Sequence, residues 1–191
     1  MFLIDRIMKA FIEEIHNNGI KFTMDDLASR LGISKRTLYE HFPSKVSILD
    51  AIIEQTLSEF DVKTALIVQD TNLSIIEKIR GIVTLLTKHY ELYDIRILEQ
   101  MKRYYPEQWK KIDDALTDDW DALRSVIEQG IHEGIIVSKN ISIIMKLMID
   151  AANSTLDQRF YQKNDITLTE ALSTIVDIIL FGLVPRDTGG E

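Results

Sequence analysis

Apolar residues recur along this chain at the spacing of helices. Leu3, Ile7, Ala10, Phe11 and Ile15 fall three and four apart over residues 2–16, an amphipathic helix that Asn17, Asn18 and Gly19 bring to an end. Thr23 is placed to cap a short second helix reaching Leu31, with Asp26 as the shortened partner of a capping box, and Gly32 supplies the permissive backbone of a tight exit. Ser34 caps a third helix. It has to stop by Pro43, because proline disfavours helical geometry in the residue before it, and Ser44 caps a fourth running to about Phe60.

Beyond Asp61 the helices lengthen. Ser74 and Glu77 form a capping box for a helix to about Tyr93, and a shorter one runs from Ile95 to about Tyr104. Pro106, suited to a first helical position, opens a stretch helical to about Glu133, which Gly134 closes. Two last helices are expected from about Asn140 to Gln162 and, capped by Thr167 with Glu170, from Leu168 to Val184, leaving Arg186 to Glu191 as a loose tail. No stretch alternates convincingly as a strand. The expectation is an all-α chain: a domain of three helices over residues 1–49 and a larger helical domain over residues 50–191.

Composition agrees with this pattern and narrows the chemistry. With 8 Gly and 3 Pro in 191 residues, the chain is poor in the residues that punctuate strands and turns. It has no cysteine, so disulfides, thiolate metal sites and cysteine nucleophiles are excluded, and a reducing cytoplasm is the expected compartment. Charged residues interrupt every apolar run before the roughly 18 residues that span a bilayer, and Met1 to Ile4 is too short for a signal core.

The net charge of −8 is unpromising for a nucleic-acid binder until it is divided. Residues 1–49 carry seven Lys and Arg against six Asp and Glu, so the acidity lies almost wholly in the remainder. Any DNA contact therefore has to come from a local basic surface near the N-terminus.

That surface coincides with a motif. In TMDDLASRLGISKRTLYEHF, residues 23–42, Ala28 is small enough for two helices to cross closely and Gly32 allows the bend, while Leu27, Leu31, Ile33, Leu38 and Phe42 form a shared apolar seam. At 100° per residue, placing Leu38 inward sends Arg36, Thr37, Tyr39 and Glu40 outward, as the reading helix of a helix-turn-helix requires. Arg36 can donate two hydrogen bonds to a guanine edge, Thr37 can touch a phosphate or a thymine methyl, and Tyr39 can reach a backbone oxygen.

The stretch GIKFTMDDLASRLGISKRTLYEHFPSKVSILDAII resembles the N-terminal domain of the tetracycline-repressor (TetR) family, through the Gly-Ile-Ser turn, the block Thr37-Leu38-Tyr39 with His41-Phe42, and Ser44-Lys45 opening the fourth helix. The resemblance covers about the first 55 residues, and beyond them only length and helix count agree. It implies operator binding as a homodimer, with Thr23, Tyr39, His41 and Lys45 mainly on phosphates and Lys35, Arg36 and Thr37 nearest the bases; Ser34 joins this expected DNA-binding set. It also implies that residues 1–49 are a helix-turn-helix DNA-binding domain and residues 50–191 a variable effector-binding and dimerisation domain. The chain opens directly on its first helix, so the basic arm of some members is not expected, and Glu40 puts a negative charge on the reading helix.

Elsewhere the sequence offers little chemistry. A glycine-rich phosphate loop, a GxSxG elbow and an HExxH helix are all missing, and the four histidines do not cluster, so no enzyme and no cofactor are expected. Asp150, Asn153 and Asp157 share a stripe that could ligate a hard cation with His89 opposite; a solvated face or the polar rim of a dimer interface is the commoner explanation, and no metal is assigned. His89 itself reads first as a core histidine bonded to a polar neighbour, on the stripe Ile75, Ile79, Ile82, Leu86, His89, Tyr93.

Aromatic and methionine side chains gather in the middle of the chain, and adaptable Met walls with polar-tipped rings suit a pocket for an apolar ligand. The expected ligand set is His89, Tyr90, Tyr93, Met101, Tyr105, Trp109 and Met148. The last two helices, from Asn140 to Gln162 and from Leu168 to Val184, are expected to pack against their copies as a four-helix bundle: the final one, with Leu172, Ile175, Val176, Ile178, Ile179, Leu180 and Phe181, is apolar over more than one core-facing stripe, Ile179 being a position to test. The function expected is a homodimeric repressor released from a palindromic operator by a small molecule. The alternative is a DNA-bound structural or partner-recruiting protein that senses nothing.

Overall fold

The computed structural model describes residues 3–87, 89–117 and 120–183, without the side chains of Tyr90, Glu91 and Leu183. The described residues form α1 (Leu3–Asn18), α2 (Met24–Leu31), α3 (Lys35–His41), α4 (Lys45–Gln69), α5 (Ile75–Val83), α6 (Ile95–Tyr104), α7 (Pro106–Thr117), α8 (Asp121–His132), α9 (Ile141–Asn153), α10 (Gln158–Lys163) and α11 (Leu168–Leu183). Two 3₁₀ turns, Tyr90–Tyr93 and Ser154–Leu156, complete them, and no strand forms among the described residues. The fold is all-α, as the periodicity indicates.

The chain divides into two compact units, Met1–Glu59 with Thr87–Asp114 and Phe60–Leu86 with Ala115–Glu191. This differs from a division at residue 49, because α6 and most of α7 join the N-terminal helices. Helix α4 is continuous and contributes its beginning to the first unit and its end to the second.

The first unit buries Ile7, Phe11 and Ile15 of α1, Leu27 of α2, Leu38 of α3 and Ile48, Leu49, Ile52 and Ile53 of α4. Phe11 and Phe22 meet edge to face with ring centroids 5.2 Å apart. A polar clasp joins α1 to α2: Arg30 donates to Glu14 at 2.9 Å and to Glu13 at 2.7 Å, and the buried Glu14 also accepts from Asn18 at 2.6 Å. Asp94 is fully buried at the start of α6, where it accepts from the backbone and the guanidinium of Arg96. Burial works to raise its pKa, but those hydrogen bonds, the Arg96 charge and that of His16 hold it below the usual carboxylate value.

In the second unit α5 packs on α8 and α11, and α9 on α8 and α11, around Ile79, Ile82, Leu123, Val126, Ile127, Met148 and Val176. Gly130 makes the close approach possible. A methyl group there would stand 2.7 Å from Ile136 and 2.8 Å from Ile75, so no larger residue fits without displacing them.

Three expected helices are shorter than their patterns. The helix from Ser74 ends at Val83 rather than Tyr93: Thr84 Oγ1 bonds back to Arg80 O at 2.8 Å, and Leu85 N closes a tight last turn on Ile82 O. The apolar period misleads because segments on either side of the break each bury residues, Ile82 in the second unit and His89 with Leu92 in the first. The stretch from Pro106 to Glu133 is two helices, α7 and α8. Leu116 O at the end of α7 accepts from the Trp120 indole at 3.3 Å and from Asn153 at 2.9 Å. The stretch from Asn140 to Gln162 breaks where Ser154 and Thr155 hydroxyls capture the carbonyls of Ala151 and Ala152. Val184 and residues 186–191 lie outside the described residues.

Candidate nucleic-acid interface

The helix-turn-helix is assembled by caps at each end of its two helices. Thr23 accepts from Asp26 N at 3.2 Å, and the Asp26 carboxylate accepts from Thr23 N at 2.8 Å, a reciprocal capping box. The bonds from Thr23 hold the Asp26 carboxyl below its ordinary pKa. Gly32 ends α2 in the left-handed conformation, φ +65°, and this sharp exit lets Ile33 N reach Ala28 O at 3.1 Å. Ser34 then accepts from Thr37 N at 3.0 Å and opens α3.

Helix α3 turns Leu38 fully inward. Its other face is open: the Arg36 side chain is 88% exposed, Tyr39 is 47% exposed, and Lys35, Glu40 and His41 are also exposed, with Thr37 half-buried. The geometry is that of a reading helix held by one apolar anchor. Its cations have internal partners, however. Lys35 pairs with Asp25, which raises the lysine pKa, and Arg36 Nε donates to Glu40 Oε1 at 2.9 Å. A base or phosphate would exchange for these exposed carboxylates, which contribute little to stability.

Lys45 is placed differently from the other residues expected at DNA. Its ammonium group donates to Ile20 O and to Phe22 O, the latter at 2.5 Å, and stands 3.9 Å from the Phe22 ring centroid. Burial lowers its pKa, with the charge of Asp26 acting the other way. In this structure Lys45 straps the α1–α2 turn to the head of α4.

Residues 7–52, which span this whole arrangement, match the family model described as bacterial regulatory proteins, tetR family. A curated relative, the uncharacterized HTH-type transcriptional regulator YvaF of Bacillus subtilis (strain 168), is 28% identical over 178 residues, 93% of this chain and 94% of its own. The N-terminal helices match the tetR-family model, and over nearly its whole length the chain is similar to a transcriptional regulator. Solved structures of lower identity share its fold. The ketosteroid transcriptional regulator KstR2 of Mycobacterium tuberculosis superposes with a TM-score of 0.75 at 18% identity, covering 96% of this chain and 95% of that one. A transcriptional regulator of Saccharomonospora viridis in complex with choline gives 0.74 at 19% identity, covering 96% and 98%.

The ligand set expected from sequence falls into both units of the chain. His89, Tyr93, Met101, Tyr105 and Trp109 belong to the first, whereas Met148 sits in the core of the second. The Tyr90 side chain lies outside the described residues. His89 is buried, with Nε2 3.1 Å from Gln55 Oε1, which is the core histidine reading. Burial pushes the Tyr93 phenol up to about 12 and raises that of Tyr105. Trp109 is half-buried and takes Lys102 over its ring at 5.7 Å. On the carboxylate stripe, Asp150 pairs with Lys146 at 2.7 Å and Asn153 caps α7 through Leu116 O.

Sequence reasoning misses one polar group. Thr64 is buried on α4 with no hydrogen-bond partner for its hydroxyl among the described residues, beside a hollow of about 270 Å³ shared with Phe60, Ala65, Val68 and Ala122. Thr56, two turns earlier, is buried too, but its hydroxyl returns to Ile52 O at 2.7 Å. A fourth helix that ends at Phe60 leaves Thr64 outside any element.

Proposed function

We propose that this regulator is a homodimeric repressor that binds a palindromic operator through α3 and is released from it by a small molecule. The observation that carries the reading is the division of labour on the outer faces: α3 exposes Arg36 and Tyr39 around a buried Leu38, while α9 and α11 expose Ile143, Leu147, Ile178 and Phe181. One reading helix sees only a few base pairs, so specificity calls for two copies about one helical turn, roughly 34 Å, or a multiple apart. An exposed apolar face on two neighbouring helices supplies the second copy. The DNA-facing set in this reading is Thr23, Ser34, Lys35, Arg36, Thr37, Tyr39 and His41, with Lys45 reaching phosphate by giving up one of its carbonyl partners. A cytoplasmic location follows from the role.

The unpartnered Thr64 hydroxyl supports a ligand site in the second unit, and the fold neighbour that carries choline shows a small molecule bound by a protein of this architecture. Helix α4 runs without a break from Lys45 to Gln69, so a ligand at Thr64 acts on the helix that begins beside the reading motif. A coupling of roughly 1–3 kcal/mol would change operator affinity about 5- to 150-fold, and DNA must weaken the ligand by the same factor.

Selection of bound sequences from a random library tests the reading. Inverted repeats should emerge, and Arg36→Ala should lose roughly 1–3 kcal/mol at one position of each half-site while leaving the others alone. Direct repeats would overturn the dimeric operator. A metabolite screen in which nothing releases the DNA would favour the ligand-independent, partner-recruiting alternative.

A further inference from the structure

We propose that the hollow between the α1–α2 turn and the C-terminal end of α6 is an auxiliary phosphate site, through which α6 adds a contact to the DNA backbone that the helix-turn-helix does not make. The proposal rests on the DNA-binding reading above and concerns the first unit alone. Gln100 fixes the geometry: its Oε1 accepts from Ile20 N at 3.0 Å, its Nε2 donates to Arg96 O at 3.1 Å, and its amide lies against Gly19. The turn and the end of α6 are thereby held in register.

On this frame Tyr104 forms a plate for two cations. Lys21 Nζ stands 5.6 Å from its ring centroid and the Arg103 guanidinium 5.3 Å from it. Lys21, Tyr104, Tyr105 and Lys45 line a hollow of about 440 Å³, and Arg103 with Glu99 lines the hollow of about 320 Å³ beside it. Among the described residues, Glu99 is the one carboxylate lining either hollow. Elsewhere in the unit the cations of the motif are neutralised, Arg30 by Glu13 and Glu14, Lys35 by Asp25 and Arg36 by Glu40. Lys45 is committed to two carbonyls. Among the described residues neither Lys21 nor Arg103 has a carboxylate partner.

Two like charges held over one ring repel each other, and an anion between them relieves that repulsion. A phosphodiester fits, since a guanidinium, an ammonium and a phenol can each donate to its oxygens. Lys21 is two residues from Thr23, the α2 cap expected at the backbone, which puts the hollow next to where the duplex is expected to run and favours a backbone phosphate as its occupant.

The test is the salt dependence of binding to a random-sequence duplex, read by fluorescence anisotropy on the full chain, with circular dichroism as the folding check. Lys21→Ala combined with Arg103→Ala should make the slope of log affinity against log salt shallower by roughly 0.9 for each phosphate that is no longer neutralised. Lys110→Ala removes a cation of the same unit, away from the hollow and without an acidic partner among the described residues, and should leave the slope unchanged. An unchanged slope in the double variant, or an equal change in Lys110→Ala, overturns the site while leaving the DNA-binding reading intact. A wild-type chain without affinity for the duplex overturns both.

Discussion

Helices α3 and α11 each turn one face outward, and the two faces have opposite chemistry. Helix α3 is seven residues long, anchored by Leu38, and shows solvent only polar or amphipathic side chains. Helix α11 buries Ala171, Leu172, Val176 and Leu180, and still presents Ile178 at 69% and Phe181 at 78% exposure. A polar, charged face binds a polyanion reversibly, with a strength that salt can tune. An apolar face gains by staying covered, since burying one Ile or Phe is worth about 1.5–3 kcal/mol. In the proposed reading one helix serves an encounter that can be broken and the other a lasting partner.

The strongest way to break this comparison is to charge the apolar face. Ile178→Glu with Phe181→Glu should convert the proposed dimer to monomers by light scattering, because unpaired charges buried in an interface cost several kcal/mol each. A dimer that survives would move the interface elsewhere. The position singled out by sequence, Ile179, is the less suitable one: it is half-buried against the core of its own unit, and charging it would confuse dimerisation with folding.

Removing the single anchor of α3 sharpens the other side. Leu38→Ala should destabilise the chain by about 2–5 kcal/mol in urea denaturation, a cost typical of a fully buried Leu. An effect below about 1 kcal/mol, closer to that of a surface substitution, would mean that α3 is held by its caps rather than by its core contact.

The smallest effect depends on pH. Asp94 has a folded pKa below its unfolded value, near 3.9, so its contribution to stability is complete above that value and is lost as pH falls through the folded one. Asp94→Asn should cost roughly 1–3 kcal/mol at neutral pH, and its difference from wild type should shrink on acidification below pH about 4. A constant difference down to pH about 2 would show that Asp94 acts through shape rather than charge.

Much of the reading domain is legible because its signals are local. Thr23 with Asp26, Gly32, Ser34 and Ser44 each specify a cap or a turn within a few residues, and the structure realises all of them. The outward set on α3 follows from helix period once Leu38 is placed inside. The ligand set is not legible in the same way. Met148 and His89 share a composition, not a unit, and nothing local in the sequence distinguishes one apolar environment from another.

By itself, then, the sequence determined that the chain is helical, where most of its helices begin, and which short segment carries the reading helix. Caps and periodicity act over three or four residues and are written where they work. Tertiary structure alone decided that Lys45 turns inward to the Ile20 and Phe22 carbonyls, that α6 and most of α7 belong with the N-terminal helices, and that, among the described residues, the Thr64 hydroxyl stays unpartnered while that of Thr56 does not. The first two outcomes depend on partners brought together from distant parts of the chain, and the third on what does or does not surround each threonine. A hydrogen bond or a close contact has no signature until both of its sides are in place.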